Sequence, residues 1–175
     1  MTEETLKILK ARAGMLARKP SEQEQPSGDL LAVTEFLLAH ERYALEFRFI
    51  REICPLKELT PLPCTPPFVL GIMNLRGQIL SVIDFRRYVG LPGKGITELN
   101  RVIILKSGDV EFAILADEIL GMRTIPRREM QQQPFQTGNL AHFIMGISSD
   151  GCIVLDGDKI IADRKIVVEE EEERT

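Results

Sequence analysis

The chain has 175 residues, of which 44% are hydrophobic and 27% charged, and its formal net charge is −4 at pH 7. This composition is typical of a globular protein with its own core, and the small acidic excess argues against a general binder of nucleic acid or anionic membranes. No stretch approaches the ~20 apolar residues that cross a bilayer, and the N-terminus lacks the apolar region of a signal peptide. We therefore expect a cytoplasmic protein.

The first 29 residues differ in character from the rest. Residues 5–18 place leucine and alanine at helical spacing and carry lysine and arginine on the other side, which predicts a basic helix. Residues 21–28, SEQEQPSG, are typical of a flexible linker. At the other end of the chain, the run Glu169–Glu173 predicts a solvated acidic tail.

Between these ends the sequence alternates short apolar runs with glycine and aspartate turns, which predicts a mainly β fold. Two segments interrupt the runs: residues 58–67, which hold four prolines and predict an extended connector, and the glycine-rich loop 90–97. The predicted strands are residues 31–38, 42–47, 68–73, 78–84, 101–105, 110–115, 119–125, 143–147 and 152–155.

Catalytic and metal-binding motifs are missing from the sequence. The two histidines, His40 and His142, stand far from any recognisable nucleophile motif. The three cysteines lack CxxC spacing, so free thiols in a reducing compartment are expected rather than a disulfide or a zinc site. We expect no enzyme activity, no cofactor and no metal.

The most informative stretch is residues 71–87, GIMNLRGQILSVIDFRR. Arg76 precedes Gly77, which can adopt positive φ in a turn or allow another backbone to approach. A carboxylate on a neighbouring strand could hold the arginine in a bidentate pair, and Glu52 and Glu46 are both candidates. A surface arginine without such a partner is the alternative.

Four stretches of the chain resemble the CheW family, the coupling proteins of bacterial chemotaxis arrays. They are residues 44–53, 66–91, 101–122 and 145–156, and the pattern GIxNLRG followed by DFR is the most specific part. The resemblance implies two five-stranded SH3-like β-barrels around a shared core, with short helices and an extra N-terminal helix. It places helix and linker in residues 1–29, a CheW-like domain in residues 30–160 and a tail in residues 161–175. The barrels would take about residues 30–91 and 100–156, with strand exchange between them allowed.

The resemblance also implies a non-catalytic adaptor, recruited to membrane-associated arrays without entering the membrane or binding nucleic acid. Its expected partners are the cytoplasmic helical tip of chemoreceptors (methyl-accepting chemotaxis proteins) and the regulatory domain of a CheA-type histidine kinase. By analogy with the family, the receptor-binding candidates are Arg76, Glu52, Ile50, Leu75, Ile72 and Val82. The candidates for the kinase face are Val102, Ile104, Val110, Phe112 and Gly121.

Two other functions stay open at this level. The additional N-terminal helix suits a CheW-like scaffold that serves a non-chemotactic two-component pathway. A nucleic-acid-binding β-barrel is a remoter alternative, because small barrels often bind nucleic acid but this chain has no basic stripe.

Overall fold

The computed structural model describes residues 29–93, 95–132 and 138–167, and these residues form mainly strands. The predicted basic helix, the linker and the acidic tail lie outside the described residues. The strands are β1 Leu30–Leu38, β2 Glu41–Glu46, β3 Ile50–Pro55, β4 Leu59–Thr60, β5 Val69–Leu75, β6 Gln78–Ile83, β7 Arg101–Ser107, β8 Val110–Ala116, β9 Glu118–Pro126, β10 Ile144–Ile147 and β11 Ile153–Leu155. The short helices are α1 Phe85–Val89, α2 Asn139–His142 and α3 Gly157–Ala162, with 3₁₀ turns at Phe47–Phe49 and Arg127–Glu129.

The strands form two sheets, which confirms the mainly β, two-sheet prediction. Sheet A has the order β10-β11-β2-β1-β9, and sheet B has the order β3-β7-β8-β6-β5-β4. Sheet B therefore uses one contiguous stretch of chain, whereas sheet A combines the first two strands with the last three. Sheet B has six strands rather than five because the two-residue β4 extends its edge.

The sheets do not follow a division of the chain into residues 30–91 and 100–156. Strands β7 and β8 lie in the second of these stretches but pair within sheet B, where β8 runs parallel to β6. Strands β1 and β2 lie in the first stretch but pair with β9 and β11. Strand exchange between the two halves is thus the organising feature of the fold.

Most predicted strands agree with the observed ones to within two residues, but two strands were missed. Strand β3 follows the 3₁₀ turn Phe47–Phe49 without a glycine or proline to mark its start. Strand β4 lies inside the proline-rich segment that was predicted to be only a connector. It pairs with β5 at Gly71, where an added Cβ atom would overlap the Thr60 carbonyl group.

Three hydrophobic clusters hold the sheets together. The largest contains buried side chains from both sheets and is the shared core, with Phe36 and Leu45 from sheet A and Ile103 and Ile114 from sheet B. A second cluster lies within sheet B and a third within sheet A. Each sheet is therefore covered by apolar side chains on both faces.

The packed body continues past residue 160, where the predicted domain ended. The side chains of Ile160, Ile161 and Ile166 are buried in the shared core. Helix α3 begins at Gly157, directly beneath the Phe49 ring, and Asp156 caps it by accepting a hydrogen bond from the Lys159 N–H. The C-terminal segment up to residue 167 thus belongs to the fold.

Candidate interaction site

Arg76 occupies the tight turn between β5 and β6. Leu75 pairs with Gln78, so Arg76 and Gly77 form a two-residue hairpin loop, and both have positive φ, at 51° and 85°. The Asn74 side chain fixes the turn by accepting a hydrogen bond from the Gly77 N–H at 2.8 Å. A left-handed backbone costs a non-glycine residue roughly 1–2 kcal/mol. The turn therefore tolerates a strained residue where asparagine or glycine would be easier.

The Arg76 guanidinium forms a bidentate pair with Glu52 on β3. Its Nη1 and Nη2 atoms each donate to one Glu52 carboxylate oxygen at 3.1 Å. Glu46, the other candidate partner, instead accepts a hydrogen bond from Arg48 Nε at 2.7 Å. Of the two pairings left open by the sequence, the structure contains the one with Glu52.

The pair belongs to a larger polar network, here called the rim cluster, which consists of Arg51, Glu52, Arg76, Gln78 and Glu111. Arg51 Nη1 donates to both Glu111 and Gln78, and Gln78 Nε2 donates to the second Glu111 oxygen at 2.8 Å. The network therefore connects β3, β6 and β8 with the β5–β6 turn, four parts of sheet B that are separate in the chain.

Strand register shows which side of sheet B the rim cluster covers. Glu52 lies opposite Ile104, and Gln78 lies opposite Leu75, both of which belong to the cluster inside sheet B. Glu111 alternates along β8 with Ala113 and Leu115, which belong to the same cluster. The rim cluster thus closes one end of the sheet B interior with paired charges.

The electrostatics of the cluster keep Glu111 ionised. Burial acts to raise the pKa of Glu111, but the hydrogen bonds from Arg51 and Gln78 outweigh it and lower the pKa below its ordinary value. The Glu111 hydrogen bond in turn raises the pKa of Arg51. Salt bridges at this surface add little net stability, so their main effect is to fix the positions of the side chains.

Arg76 is the member of the cluster most open to a partner. Its side chain is 74% exposed, whereas that of Glu52 is 21% exposed. A guanidinium carries five N–H donors, so Arg76 can bind an acceptor on another molecule while Glu52 holds it in place.

An open cleft of ≈ 500 Å³ lies on the same hairpin. It is lined by Lys57, Glu58, Thr60, Ile72, Met73, Asn74 and Ile79. Ile79 is an exposed large apolar residue, and Ile72 is half-buried. An apolar side chain from a partner could therefore enter beside the Arg76 turn.

The remaining receptor-binding candidates from the sequence are core residues. Ile50 packs in the shared core, and Leu75 and Val82 pack in the sheet B cluster. Of the six candidates, only Arg76, Glu52 and Ile72 have surface that a partner could contact. The other three can act only by supporting the strands beneath.

Three of the five kinase-face candidates are likewise buried, which corrects their assignment to a contact surface. Val102 and Ile104 point into the sheet B cluster, and Phe112 points into the shared core. Because β7 and β8 have a hydrophobic cluster on each face, neither strand has an apolar side to offer a partner. Val110 is half-buried, and Gly121 is exposed on β9.

Sequence reasoning missed an apolar strip beside Gly121, here called the β9 strip and made of Leu120, Gly121 and Met122. Leu120 is 43% exposed and Met122 is 63% exposed. Strand β9 is an edge of sheet A, and its register with β1 shifts next to Gly121, whose φ is 138°. The alternation of EILGMRTIP gave no separate sign that its apolar residues face solvent.

A second ion-pair group lies in sheet A. Arg123 donates to both oxygens of Asp150 at 2.7 and 2.9 Å, and Arg42 donates to Asp150 and to the buried Glu35. The Arg123 and Ser148 hydrogen bonds hold the pKa of Asp150 well below its ordinary value. These contacts join β1, β2 and β9 to the turn before β11.

Sequence reasoning also missed Arg86, which is buried in α1 between Asp84 and Asp117. The sequence shows two adjacent arginines after an aspartate, and no simple pattern distinguishes the buried one from its exposed neighbour Arg87.

Two searches for other kinds of site were negative. Among the described residues, no group of three or more histidine, cysteine or acidic side chains is arranged to hold a metal ion. In the same part of the chain, no helix is long and apolar enough to span a membrane.

Comparison with known proteins places these features in a family. The family model described as the CheW-like domain matches residues 33–165. The chain belongs to the CheW-like family. The rim cluster, the β9 strip and Arg86 all lie inside the matched CheW-like residues, whereas the predicted basic helix and the acidic tail lie outside them.

Individual CheW relatives agree with this result. The chemotaxis protein CheW of Treponema pallidum is 29% identical over 139 residues, which cover 75% of this chain and 82% of that protein. The chemotaxis protein CheW of Bacillus subtilis is 30% identical over 99 residues, covering 57% and 64%. The crystal structure of the scaffolding protein TtCheW from Thermoanaerobacter tengcongensis has a TM-score of 0.66 and 26% identity, over 75% of this chain and 88% of that one.

Proposed function

We propose that this protein is a non-catalytic adaptor that couples chemoreceptors to a CheA-type histidine kinase. The observation that carries the proposal is the CheW-like match across residues 33–165, together with relatives named as chemotaxis and scaffolding proteins. The adaptor acts in the cytoplasm and is recruited to receptor arrays at the membrane.

The receptor-binding surface is the Arg76 turn together with the adjoining cleft. A receptor tip is helical, and an amphipathic helix binds by inserting apolar side chains into a groove beside matching polar contacts. Ile72 and Ile79 supply the apolar part of this surface. Arg76, held by Glu52, supplies hydrogen-bond donors for an acceptor on the receptor helix.

The kinase-binding surface is the β9 strip, with Gly121 at its centre and Val110 nearby in sequence order on the preceding strand. Exposed leucine and methionine on an edge strand are suited to packing against the apolar end of another small β domain. This surface replaces the buried residues Val102, Ile104 and Phe112 as the kinase contact.

We predict that Arg76→Ala weakens binding to a receptor cytoplasmic fragment by about 1–3 kcal/mol, because a charged hydrogen bond is lost. Titration calorimetry with the purified fragment measures the effect. Arg76→Lys should recover part of the loss, since it keeps the charge but not the bidentate geometry. Glu52→Gln should show a loss of its own, because Arg76 is then no longer held.

The matched control is Arg164→Ala, which removes an exposed arginine remote in sequence from the rim cluster. Kinase binding should be unchanged in all of these variants and should fall in Met122→Asp. Equal receptor affinity of Arg76→Ala and the parent chain would refute the assigned receptor surface. Failure of the parent chain to bind either partner would refute the adaptor function itself.

A further inference from the structure

Arg86 is a fully charged side chain in the interior of the molecule. It lies on α1 and is 1% exposed, as is the carboxylate of Asp84. Arg86 Nε and Nη2 each donate to one Asp84 oxygen at 2.9 Å, and these hydrogen bonds raise the pKa of the guanidinium. Asp84 also caps α1 by accepting a hydrogen bond from the Arg86 N–H. The base of α1 is thereby fixed to the end of β6 in sheet B.

A further donor of Arg86 crosses to the other sheet. Its Nη1 atom donates to Asp117 Oδ1 at 2.6 Å. Asp117 is the single residue between β8 of sheet B and β9 of sheet A, so it lies where the chain passes from one sheet to the other.

Asp117 extends the contact to the first hairpin of sheet A. Its Oδ2 atom accepts a hydrogen bond from the Ala39 N–H at 2.8 Å, and its own N–H donates to the Leu37 carbonyl at 2.9 Å. Ala39 and His40, the two turn residues, both have positive φ. One carboxylate therefore joins α1 of sheet B to the β1–β2 turn of sheet A.

Physical chemistry favours a geometric role for these contacts over a stabilising one. A buried ion pair gains little net stability over apolar residues of similar size, because desolvation offsets the attraction. Its hydrogen bonds are nonetheless satisfied in only one arrangement, so it can select one relative placement of the parts it joins. The hydrophobic contacts of the shared core are less directional.

We propose that Arg86 and Asp117 form a clamp that sets the position of sheet A relative to sheet B. This inference rests on the proposed function in one respect: the clamp fixes the distance between the Arg76 turn on sheet B and the β9 strip on sheet A. Arg86 is then a positioning residue for coupling, although it is too deeply buried to contact either partner.

The test measures the placement of the sheets directly. Spin labels are attached at Lys106→Cys in sheet B and Thr124→Cys in sheet A, two exposed positions, in a chain carrying Cys54→Ser and Cys64→Ser. Double electron–electron resonance should give one narrow distance distribution for this parent. Arg86→Met should shift or broaden the distribution, and Arg86→Lys should restore it in part. The control Arg87→Met removes the neighbouring, exposed arginine and should leave it unchanged.

Asp117→Asn gives a second measurement that does not depend on how well the Arg86 variants fold. The amide keeps an oxygen for the Ala39 N–H but removes the charge opposite Arg86, so the distribution should broaden while the protein stays folded. A parent-like distribution in Asp117→Asn, or in a folded Arg86→Met, overturns the clamp.

Binding assays separate the clamp from the proposed function. In Asp117→Asn, each partner alone should bind as it does to the parent chain, while stimulation of kinase phosphorylation in the three-component mixture should fall. Loss of a single binary interaction, with the distance distribution unchanged, would instead indicate that Asp117 acts locally. If the parent chain binds neither partner, the adaptor proposal fails while the distance result stands independently.

Discussion

Two arginines, Arg76 and Arg86, show how the same side chain can take opposite environments in one small protein. Arg76 is largely exposed and shares a single carboxylate, whereas Arg86 is buried and bridges two. The exposed one retains donors for another molecule, while the buried one is committed to internal contacts. Each lies where it does because of a local backbone feature, a two-residue turn in one case and a capped helix in the other.

Gly71 gives a prediction at this scale. Its φ is 145°, and an added Cβ atom would overlap the backbone of Thr60 on β4. Gly71→Ala should therefore lower the free energy of unfolding by about 3 kcal/mol, from backbone strain and overpacking together. Urea denaturation measures the change.

The matched control for Gly71 is Gly151→Ala. Gly151 also has positive φ, at 86°, but open space surrounds its missing side chain. Only the backbone cost of roughly 1–2 kcal/mol should appear there. Equal losses in the two variants would show that the approach of β4 is not what requires glycine at position 71.

Single elements show what the sequence could and could not predict. The β5–β6 hairpin, its positive-φ glycine and a carboxylate partner for Arg76 followed from turn chemistry and charge, since these effects are local. Strand β7 illustrates the limit. The run RVIILKS is apolar on both faces, and its sequence alone does not distinguish a face buried by the protein's own core from one offered to a partner.

The pairing of strands was beyond the sequence for a related reason. The parallel contact between β11 and β2 joins residues about a hundred positions apart, at Ile153 and Tyr43. Alternation of apolar residues specifies which side of a strand is buried, but it does not specify the neighbouring strand. The β9 strip and the Arg86 clamp depend on that long-range arrangement, and both were missed.

The C-terminal element yields a second stability prediction. Ile166 lies beyond α3, and its side chain is buried in the shared core. Ile166→Ala should cost about 2–5 kcal/mol, as large-to-small changes in a core do. Thermal and urea unfolding would measure the loss. The adjacent exposed Lys165→Ala should change stability by no more than about 0.5 kcal/mol, and a similar value for Ile166→Ala would place residue 166 outside the packed body.

At the scale of the whole molecule, we predict that stability falls in alkaline solution. Burial raises the pKa of the Cys152 thiol to about 11, and burial with the Asp163 hydrogen bond raises the pKa of Tyr88 to about 12. In the unfolded chain a thiol ionises near pH 8.5, so the folded state keeps a proton that the unfolded state loses. The stabilisation is complete below that pH and is lost as the pH rises toward 11.

The measurement is the urea midpoint between pH 8 and pH 11. Cys152→Ala should make its fall with pH shallower, whatever it does to absolute stability, because one of the linked groups is gone. Cys64→Ala removes an exposed thiol and should leave the slope as it is. An unchanged slope in Cys152→Ala would exclude the buried thiol as a source of the alkaline loss.

The strand order has a consequence for how the protein is made. Sheet B occupies residues 50–116 without interruption, so its pairing partners leave the ribosome close together. Strands β1 and β2 emerge first, yet β9 and β11, which flank them in the finished sheet, are synthesised last. The opening hairpin therefore waits with bare flanks through most of translation, and nascent chains halted before residue 118 carry the surface on which a chaperone would act.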